Sequence, residues 1–169
     1  MELWFSEQHT PNVRFSLKVD RQLFSESSEF QRVDIFDSTE FGRILVLDGR
    51  IMMTERDEFI YHEMITHVPL CVNPDIKKVL LVGGGDGGSA RELLKYDTIE
   101  KIDLVEIDET IVRGKRMFSR ICRCVSSSGI EPKICAAEIS TEPFVKLKKN
   151  PATATAAIRK IFIIVIQSQ

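Results

Sequence analysis

The chain is 169 residues long, carries 23 basic and 25 acidic side chains for a net charge of −2, and is 43% hydrophobic and 8% aromatic. That length allows one ordinary domain, or one small and one incomplete domain, and excludes a large two-domain enzyme. The composition excludes a disordered or fibrous chain, and the absence of an apolar run near the roughly 20 residues of a bilayer-spanning helix, or of a signal-type N-terminus, points to a cytoplasmic protein without membrane contact.

Residues 14–53 read as short strands joined by turns. Gln31-Arg32-Val33-Asp34-Ile35 and Arg43-Ile44-Leu45-Val46-Leu47 carry the β-branched, alternating residues of a small antiparallel unit. Between the second of these and Ile51, the Asp48-Gly49 dipeptide supplies the positive-φ residues of a tight hairpin. Thr54-Glu55-Arg56-Asp57 then reads as a capping box. Ile60, Met64, Ile65 and Val68 follow at helical spacing, and Pro69 is expected to end that helix. The first 54 residues are thus expected to form a β-strand domain, and residues 55–169 a second, catalytic-type domain.

Residues 77–82 form an apolar strand that runs straight into Gly83-Gly84-Gly85-Asp86-Gly87-Gly88 and a helix-like Ser89-Ala90-Arg91-Glu92-Leu93-Leu94. A second strand over residues 101–107 ends in Val105-Glu106-Ile107-Asp108, and a further helical stretch runs to about Phe118. Strand, glycine loop, helix and acidic-tipped strand are the opening of a parallel, doubly wound nucleotide-binding sheet. The fold class expected is therefore α/β: a small N-terminal antiparallel β domain followed by an incomplete Rossmann-like, methyltransferase-type parallel sheet. Beyond this, residues 121–149 lack clear periodicity, and residues 161–166 read as one buried strand. If the sheet is incomplete, that apolar strand makes an aggregation-prone edge.

Charge divides the chain more sharply than its total suggests. Residues 1–117 hold 22 acidic and 15 basic side chains, all ten aspartates and eight of the nine glycines; residues 118–169 hold 3 acidic and 8 basic side chains. Cys71, Cys122, Cys124 and Cys135 show neither a CxxC pair nor zinc spacing and read as free thiols.

Gly83, Gly85 and Gly88 satisfy GxGxxG in its required strand-to-helix context, and Glu106 stands eighteen residues beyond at a strand end. A carboxylate there accepts hydrogen bonds from both hydroxyls of an adenosine ribose; alternatively the glycines serve packing only. Asp86 bears on the ligand type. Among loop amides that would face a pyrophosphate, a carboxylate repels the anion, so a dinucleotide is disfavoured and a ligand with positive charge beside its adenosine, such as a sulfonium, is favoured. Asp86 as a simple helix cap remains the alternative. His62, Glu63 and His67 form H-E-x-x-x-H rather than H-E-x-x-H; residues five apart turn through about 140° of helix and cannot share a metal, so no metal site is expected. His62 lies off the apolar stripe and reads as an exposed helical histidine unless a ligand uses it. Tyr61 reads as a core-edge aromatic. The acidic front and a basic tail poor in aromatics give no support to nucleic-acid binding.

Over about residues 3–117 the chain resembles the polyamine aminopropyltransferases. The resemblance is carried by Trp4-Phe5-Ser6-Glu7, Glu29-Phe30-Gln31, Phe41-Gly42-Arg43 through Asp48-Gly49, Thr54-Glu55-Arg56-Asp57-Glu58-Phe59-Ile60-Tyr61-His62-Glu63-Met64, the glycine loop and Val105-Glu106-Ile107-Asp108-Glu109. It implies transfer of an aminopropyl group from decarboxylated S-adenosylmethionine to putrescine, giving spermidine and methylthioadenosine, with no further cofactor and in a homo-oligomer, expected as a dimer. It also implies that Gln31, Gly83, Gly84, Gly85 and Glu106 hold the donor, and that Tyr61, His62 and Asp86 face the amine. The family's adenine-contacting Asp-Gly pair and its amine-deprotonating aspartate find no counterpart: Ser140-Thr141 and Ile166-Gln167-Ser168-Gln169 stand where they are expected. The sequence reading is accordingly of a product truncated or frameshifted near Met117 and inactive; a nucleoside- or polyamine-binding paralogue and an S-adenosylmethionine-dependent methyltransferase are the alternatives.

Overall fold

A computed structural model describes residues 2–114, 117 and 118, and the backbone of 162–166. Strands β1 (Leu3–Thr10) and β2 (Val13–Val19) form an antiparallel hairpin. The next four strands, β3 (Arg21–Ser27), β4 (Arg32–Ser38), β5 (Gly42–Leu47) and β6 (Arg50–Thr54), make a second antiparallel sheet in chain order. The sequence reading starts the β unit at Arg14 and assigns no strand to β1. That strand escapes because most of its side chains are exposed, so no clean inward-outward alternation marks it. The Asp48-Gly49 turn is present: φ is 50° at Asp48 and 74° at Gly49, the two positive values a two-residue hairpin turn requires.

The unbroken apolar run Ile44-Leu45-Val46-Leu47 has a physical reason: the four-stranded sheet is covered on both faces. Alternate residues point oppositely along a strand. Ile44 and Val46 pack with Leu17 and Val19 of the hairpin, whereas Leu45 and Leu47, with Val33 and Ile35, pack against Ile111 and Phe118. Phe118 is only 1% exposed, so the core extends to the residue at which the composition changes.

Helix α1 (Glu58–Val72) follows β6, and two sequence expectations fail there. Pro69 lies inside the helix rather than at its end. A proline loses its own N–H bond and crowds the carbonyl four residues back, but its own carbonyl still accepts from the Asn73 amide at 3.2 Å, and the burial of Leu70 one residue on anchors the last turn. The Thr54 hydroxyl bonds to the Asp57 carboxylate at 2.6 Å, and Asp57, the N-cap residue, makes no side-chain capping bond, so the expected capping box is not formed.

The buried face of α1 is also not the apolar one. Ile60, Met64 and Val68 are 56%, 61% and 51% exposed, while Glu58, His62, Thr66 and Leu70, spaced by four residues, are buried. His62 is therefore not an exposed helical histidine. Its face is covered by α2 (Gly88–Leu93), which brings Gly88 and Arg91 against it.

Strands β7 (Lys78–Val82) and β8 (Lys101–Val105) pair in parallel around α2, and α3 (Glu109–Gly114) follows. This is the expected βαβ unit, with Val79, Leu81, Ala90, Leu93 and Ile102 in its core. Strand β9 (Phe162–Ile166) joins the other edge of β7 antiparallel, giving the order β8-β7-β9. The parallel expectation thus holds for β7 and β8 and not for β9, an antiparallel neighbour requiring no crossover helix. The sequence expectations about residues 119–161 and 167–169 fall outside the described residues. Among the described residues no helix is long and apolar enough to cross a membrane.

Two substitutions separate packing from backbone conformation. Ile35→Ala, at a fully buried position, is expected to cost about 2–5 kcal/mol. Gly49→Ala meets no atom within 4 Å and is expected to cost only the left-handed backbone strain, about 1 kcal/mol. Urea unfolding of both variants checks the ranking.

Candidate functional site

A cavity of about 650 Å³ opens between the four-stranded sheet, α1 and the carboxyl ends of β7 and β8. The last of these is where ligands bind in open α/β sheets. Gln31 enters from the start of β4, Tyr61 and His62 from α1, Gly83, Gly84, Gly85 and Asp86 from the loop after β7, and Glu106 from the end of β8. All eight residues that the resemblance assigns to the donor and the amine therefore line one cavity, while Gly88, Glu63 and His67 are not part of its lining. Leu45, Leu47, Met52, Met53, Ile60 and Met64 complete an apolar wall beside them.

The glycine loop is shaped by conformation at some positions and by space at others. Gly83 and Gly84 have φ of 82° and 79°, a left-handed backbone that side chains rarely tolerate. At Gly85 a Cβ would lie 2.8 Å from the Glu106 carboxylate, and at Gly88 it would lie 2.2 to 2.5 Å from the His62 ring. The glycines at 85 and 88 thus let the Glu106 carboxylate and the His62 ring lie directly on the backbone.

Glu106 is held firmly. One carboxylate oxygen accepts from the Gly85 amide at 2.9 Å, and the other accepts from the amides of Ile107 at 2.8 Å and Asp108 at 3.1 Å. Asp86 Oδ1 accepts from the Gly88 amide at 2.7 Å and lies 3.2 Å from His62 Nε2. Two loop amides that would face phosphate in a dinucleotide site are thus already taken by carboxylates. The geometry disfavours a pyrophosphate and leaves negative charge along the cavity. The N-cap of α2 is Gly87, so Asp86 is not the helix cap considered as an alternative in the sequence; it bonds the Gly88 amide from one residue earlier and lines the cavity as well.

His62 sits between two acids. Its Nδ1 lies 2.6 Å from Glu58 and its Nε2 faces Asp86, so both ring nitrogens donate when the ring is protonated. Burial alone would push the imidazole pKa down; the hydrogen bonds and charges of Asp86 and Glu58 outweigh it and push His62 up to about 9. Burial likewise opposes ionisation of Glu58, but His62 and Arg91 hold its carboxyl down to about 2. Arg91 closes a two-pronged pair on Glu58, at 2.6 and 3.0 Å, and its Nε donates to Glu92 at 2.8 Å. Glu92 in turn meets Lys95, and His67 Nε2 at 3.1 Å. His67 also bonds the Tyr96 hydroxyl at 2.6 Å, so the two histidines of H-E-x-x-x-H serve different partners.

Sequence reasoning gave no role to Glu58, Arg91 or Asp108. Asp108 is 1% exposed and accepts from Gln31 Nε2 and Ser28 Oγ, both at 2.9 Å, which fixes the Gln31 side chain at the cavity. The i,i+4 spacing of Glu58 and His62 was the available signal for the first of these. Nothing local marks the contact from Asp108 back to Gln31 across 77 positions.

The fold and site define a nucleotide-type α/β site joined to a small β module, and comparison with known proteins gives the family. The spermidine synthase tetramerisation domain matches residues 3–55, and the spermine/spermidine synthase domain matches residues 58–136. A polyamine aminopropyltransferase of Clostridium botulinum (strain Alaska E43 / Type E3) is 60% identical over 118 residues, 70% of this chain and 42% of the relative. A spermidine synthase solved in complex with the transition-state analogue AdoDATO superposes with a TM-score of 0.69 at 43% identity, over 75% of this chain and 44% of that one. The Thermotoga maritima spermidine synthase superposes equally well, covering 75% of this chain and 45% of its own. The chain belongs to the polyamine aminopropyltransferase family, and its similarity is to spermidine synthases. It spans less than half the length of these relatives.

The pH dependence of stability follows from the two shifted groups. Glu58, lowered from 4.5 to about 2, contributes fully above pH 4.5 and loses its contribution as pH falls towards 2. His62, raised from 6.5 to about 9, contributes fully below pH 6.5 and loses its contribution as pH rises through 9. Urea midpoints should therefore be highest between about pH 4.5 and 6.5, and His62→Gln should flatten the alkaline limb.

Proposed function

We propose that residues 3–118 form the donor- and amine-binding part of an aminopropyltransferase of spermidine-synthase type. In this reading decarboxylated S-adenosylmethionine lies with its ribose on Glu106 and its nucleoside side along Gln31 and Gly83 to Gly85. The diamine putrescine approaches past Tyr61, His62 and Asp86. The observation that carries it is the convergence of these residues, from four separate parts of the sequence, on one cavity lined by carboxylates.

The chemistry asked of the site is a single displacement. The amine lone pair forms a bond to the carbon next to the sulfonium, the carbon–sulfur bond breaks with its electrons going to sulfur, and methylthioadenosine leaves as a neutral thioether. Because the leaving group is already activated, positioning and electrostatics supply the catalysis. Asp86 faces the positive charge of the donor or the diamine. His62, held protonated well above neutrality, donates and cannot take the amine proton. That proton must go to another group; the resemblance assigns this to an aspartate that has no counterpart among the 169 residues. The carboxylates also favour this donor over S-adenosylmethionine, whose own carboxylate they would repel, which weighs against methyl transfer.

We further propose that the chain assembles as a homo-oligomer through its N-terminal module, a tetramer being favoured over the expected dimer by the name of the matching domain, and that it works in the cytoplasm.

Calorimetric titration with methylthioadenosine tests the binding reading. Saturable binding is expected, weakened at least tenfold, about 1.4 kcal/mol, by Glu106→Gln and by Gly85→Ala, whose new Cβ displaces the Glu106 carboxylate. No binding by the folded chain, or binding indifferent to both substitutions, would overturn it. Incubation with decarboxylated S-adenosylmethionine and putrescine tests turnover separately, and spermidine formation would refute the inactive product expected from the sequence.

A further inference from the structure

The cavity wall at Asp86 is not self-supporting. Asp86 touches His62, His62 touches Glu58, and Glu58 is gripped by both terminal nitrogens of Arg91, which reaches across from α2. Every member of this chain except Asp86 is almost wholly buried, with side-chain exposures of 2% for His62, 5% for Glu58 and 9% for Arg91. Gly88 offers no room for the ring to move aside, because its backbone lies directly under the imidazole. A ring fixed at Nδ1 by an anchored carboxylate can point its other N–H in only one direction, towards Asp86. The logic is that of metal sites, in which a partner on one imidazole nitrogen sets what the other nitrogen does.

We propose that Glu58 and Arg91 are positioning residues that act through His62 to fix the orientation of the Asp86 carboxylate for a cationic amine. Arg91 does not line the cavity, and Glu58, which borders it, spends its carboxylate on His62 and Arg91. Arg91 supplies the charge that keeps Glu58 an acceptor, Glu58 keeps His62 a donor on both nitrogens, and His62 holds one Asp86 oxygen while the Gly88 amide holds the same oxygen from the other side. The groups facing His62 are Glu58 and the edge-on Tyr61 ring from α1, and Asp86 from the loop after β7; Arg91 of α2 acts on it through Glu58. The amine-binding part of this inference rests on the function proposed above; the positioning part does not.

The experiment has two arms on the full chain. Nitrogen-15 NMR of imidazole-labelled protein reads the His62 ring across pH. In the unsubstituted chain it should remain doubly protonated at pH 8, whereas in Glu58→Gln it should titrate at least ten times more readily, its midpoint falling by at least one pH unit. Arg91→Lys keeps the charge and loses the two-pronged grip, so it should give an intermediate shift and, if Glu58→Gln does not fold, carries the test alone. Glu58→Asp should restore part of the shift. An unaltered His62 midpoint in a folded variant would overturn the positioning role. The second arm titrates putrescine, with methylthioadenosine present, and separately methylthioadenosine alone. Glu58→Gln should weaken putrescine at least tenfold and methylthioadenosine less than twofold, a split that general loosening of the fold would not produce. Equal loss of both would overturn the amine-specific role. If the unsubstituted chain binds neither ligand while the NMR shift is as stated, the proposed function fails and the positioning of Asp86 stands.

Discussion

Everything at the cavity depends on one buried run of alternating charges: Asp86, His62, Glu58, Arg91 and Glu92 in sequence, ending at Lys95 and His67 near the surface. Removing so many charges from water is costly, and a single member left unpaired would make the packing of α1 on α2 untenable. The alternation resolves this, since each acid has a cation on at least one side. It also explains an otherwise odd helix. The polar side of α1 is buried because its partners lie there, and Ile60 and Met64 are left to wall the cavity instead.

The same chain connects fold to chemistry. The loop after β7 is pinned from within by Glu106 on the Gly85 amide and by Asp86 on the Gly88 amide, so its carboxylates sit where a phosphate would otherwise be bound. Asp108 reaches back to Gln31 and ties the entry of β4 to the end of β8, which closes the cavity between the β module and the parallel pair. In the proposed reading the cavity combines Glu106 as a ribose anchor, an apolar wall and Asp86 as a cation-seeking carboxylate, the three features that an adenosyl sulfonium and a diamine require together.

Much of this was legible from local pattern. The glycine loop between a strand and a helix, the acidic strand end at Glu106 and the Asp48-Gly49 turn each announce themselves within a few residues, because the geometry they demand restricts residue type. The charge of Asp86 was enough to turn the reading from a dinucleotide towards a sulfonium. What failed was the assignment of faces on α1. Hydrophobic periodicity assumes that burial follows apolarity, and at Glu58, His62, Thr66 and Leu70 charge pairing with α2 overrides it. The exposed reading of His62 followed from that assumption. Pro69 misled for a related reason, since tertiary anchoring at Leu70 outweighs the loss of one backbone hydrogen bond. Strand β9 shows the remaining limit: its apolar sequence marks a strand, while its direction beside β7 is a matter of topology that no local pattern encodes.

The dependence of the fold on the buried charges is measured most directly by a double-mutant cycle on Glu58→Gln and Arg91→Met, read by urea unfolding at pH 6. Each single substitution takes from the opposite charge one of its two buried partners, leaving Arg91 with Glu92 or Glu58 with His62, and should cost about 3 kcal/mol, the low end for a broken buried pair. The double substitution removes both charges and should cost clearly less than the two together, leaving a coupling of at least about 1 kcal/mol. Costs that simply add, to within about 0.5 kcal/mol, would contradict the view that these two residues stabilise the site as a pair.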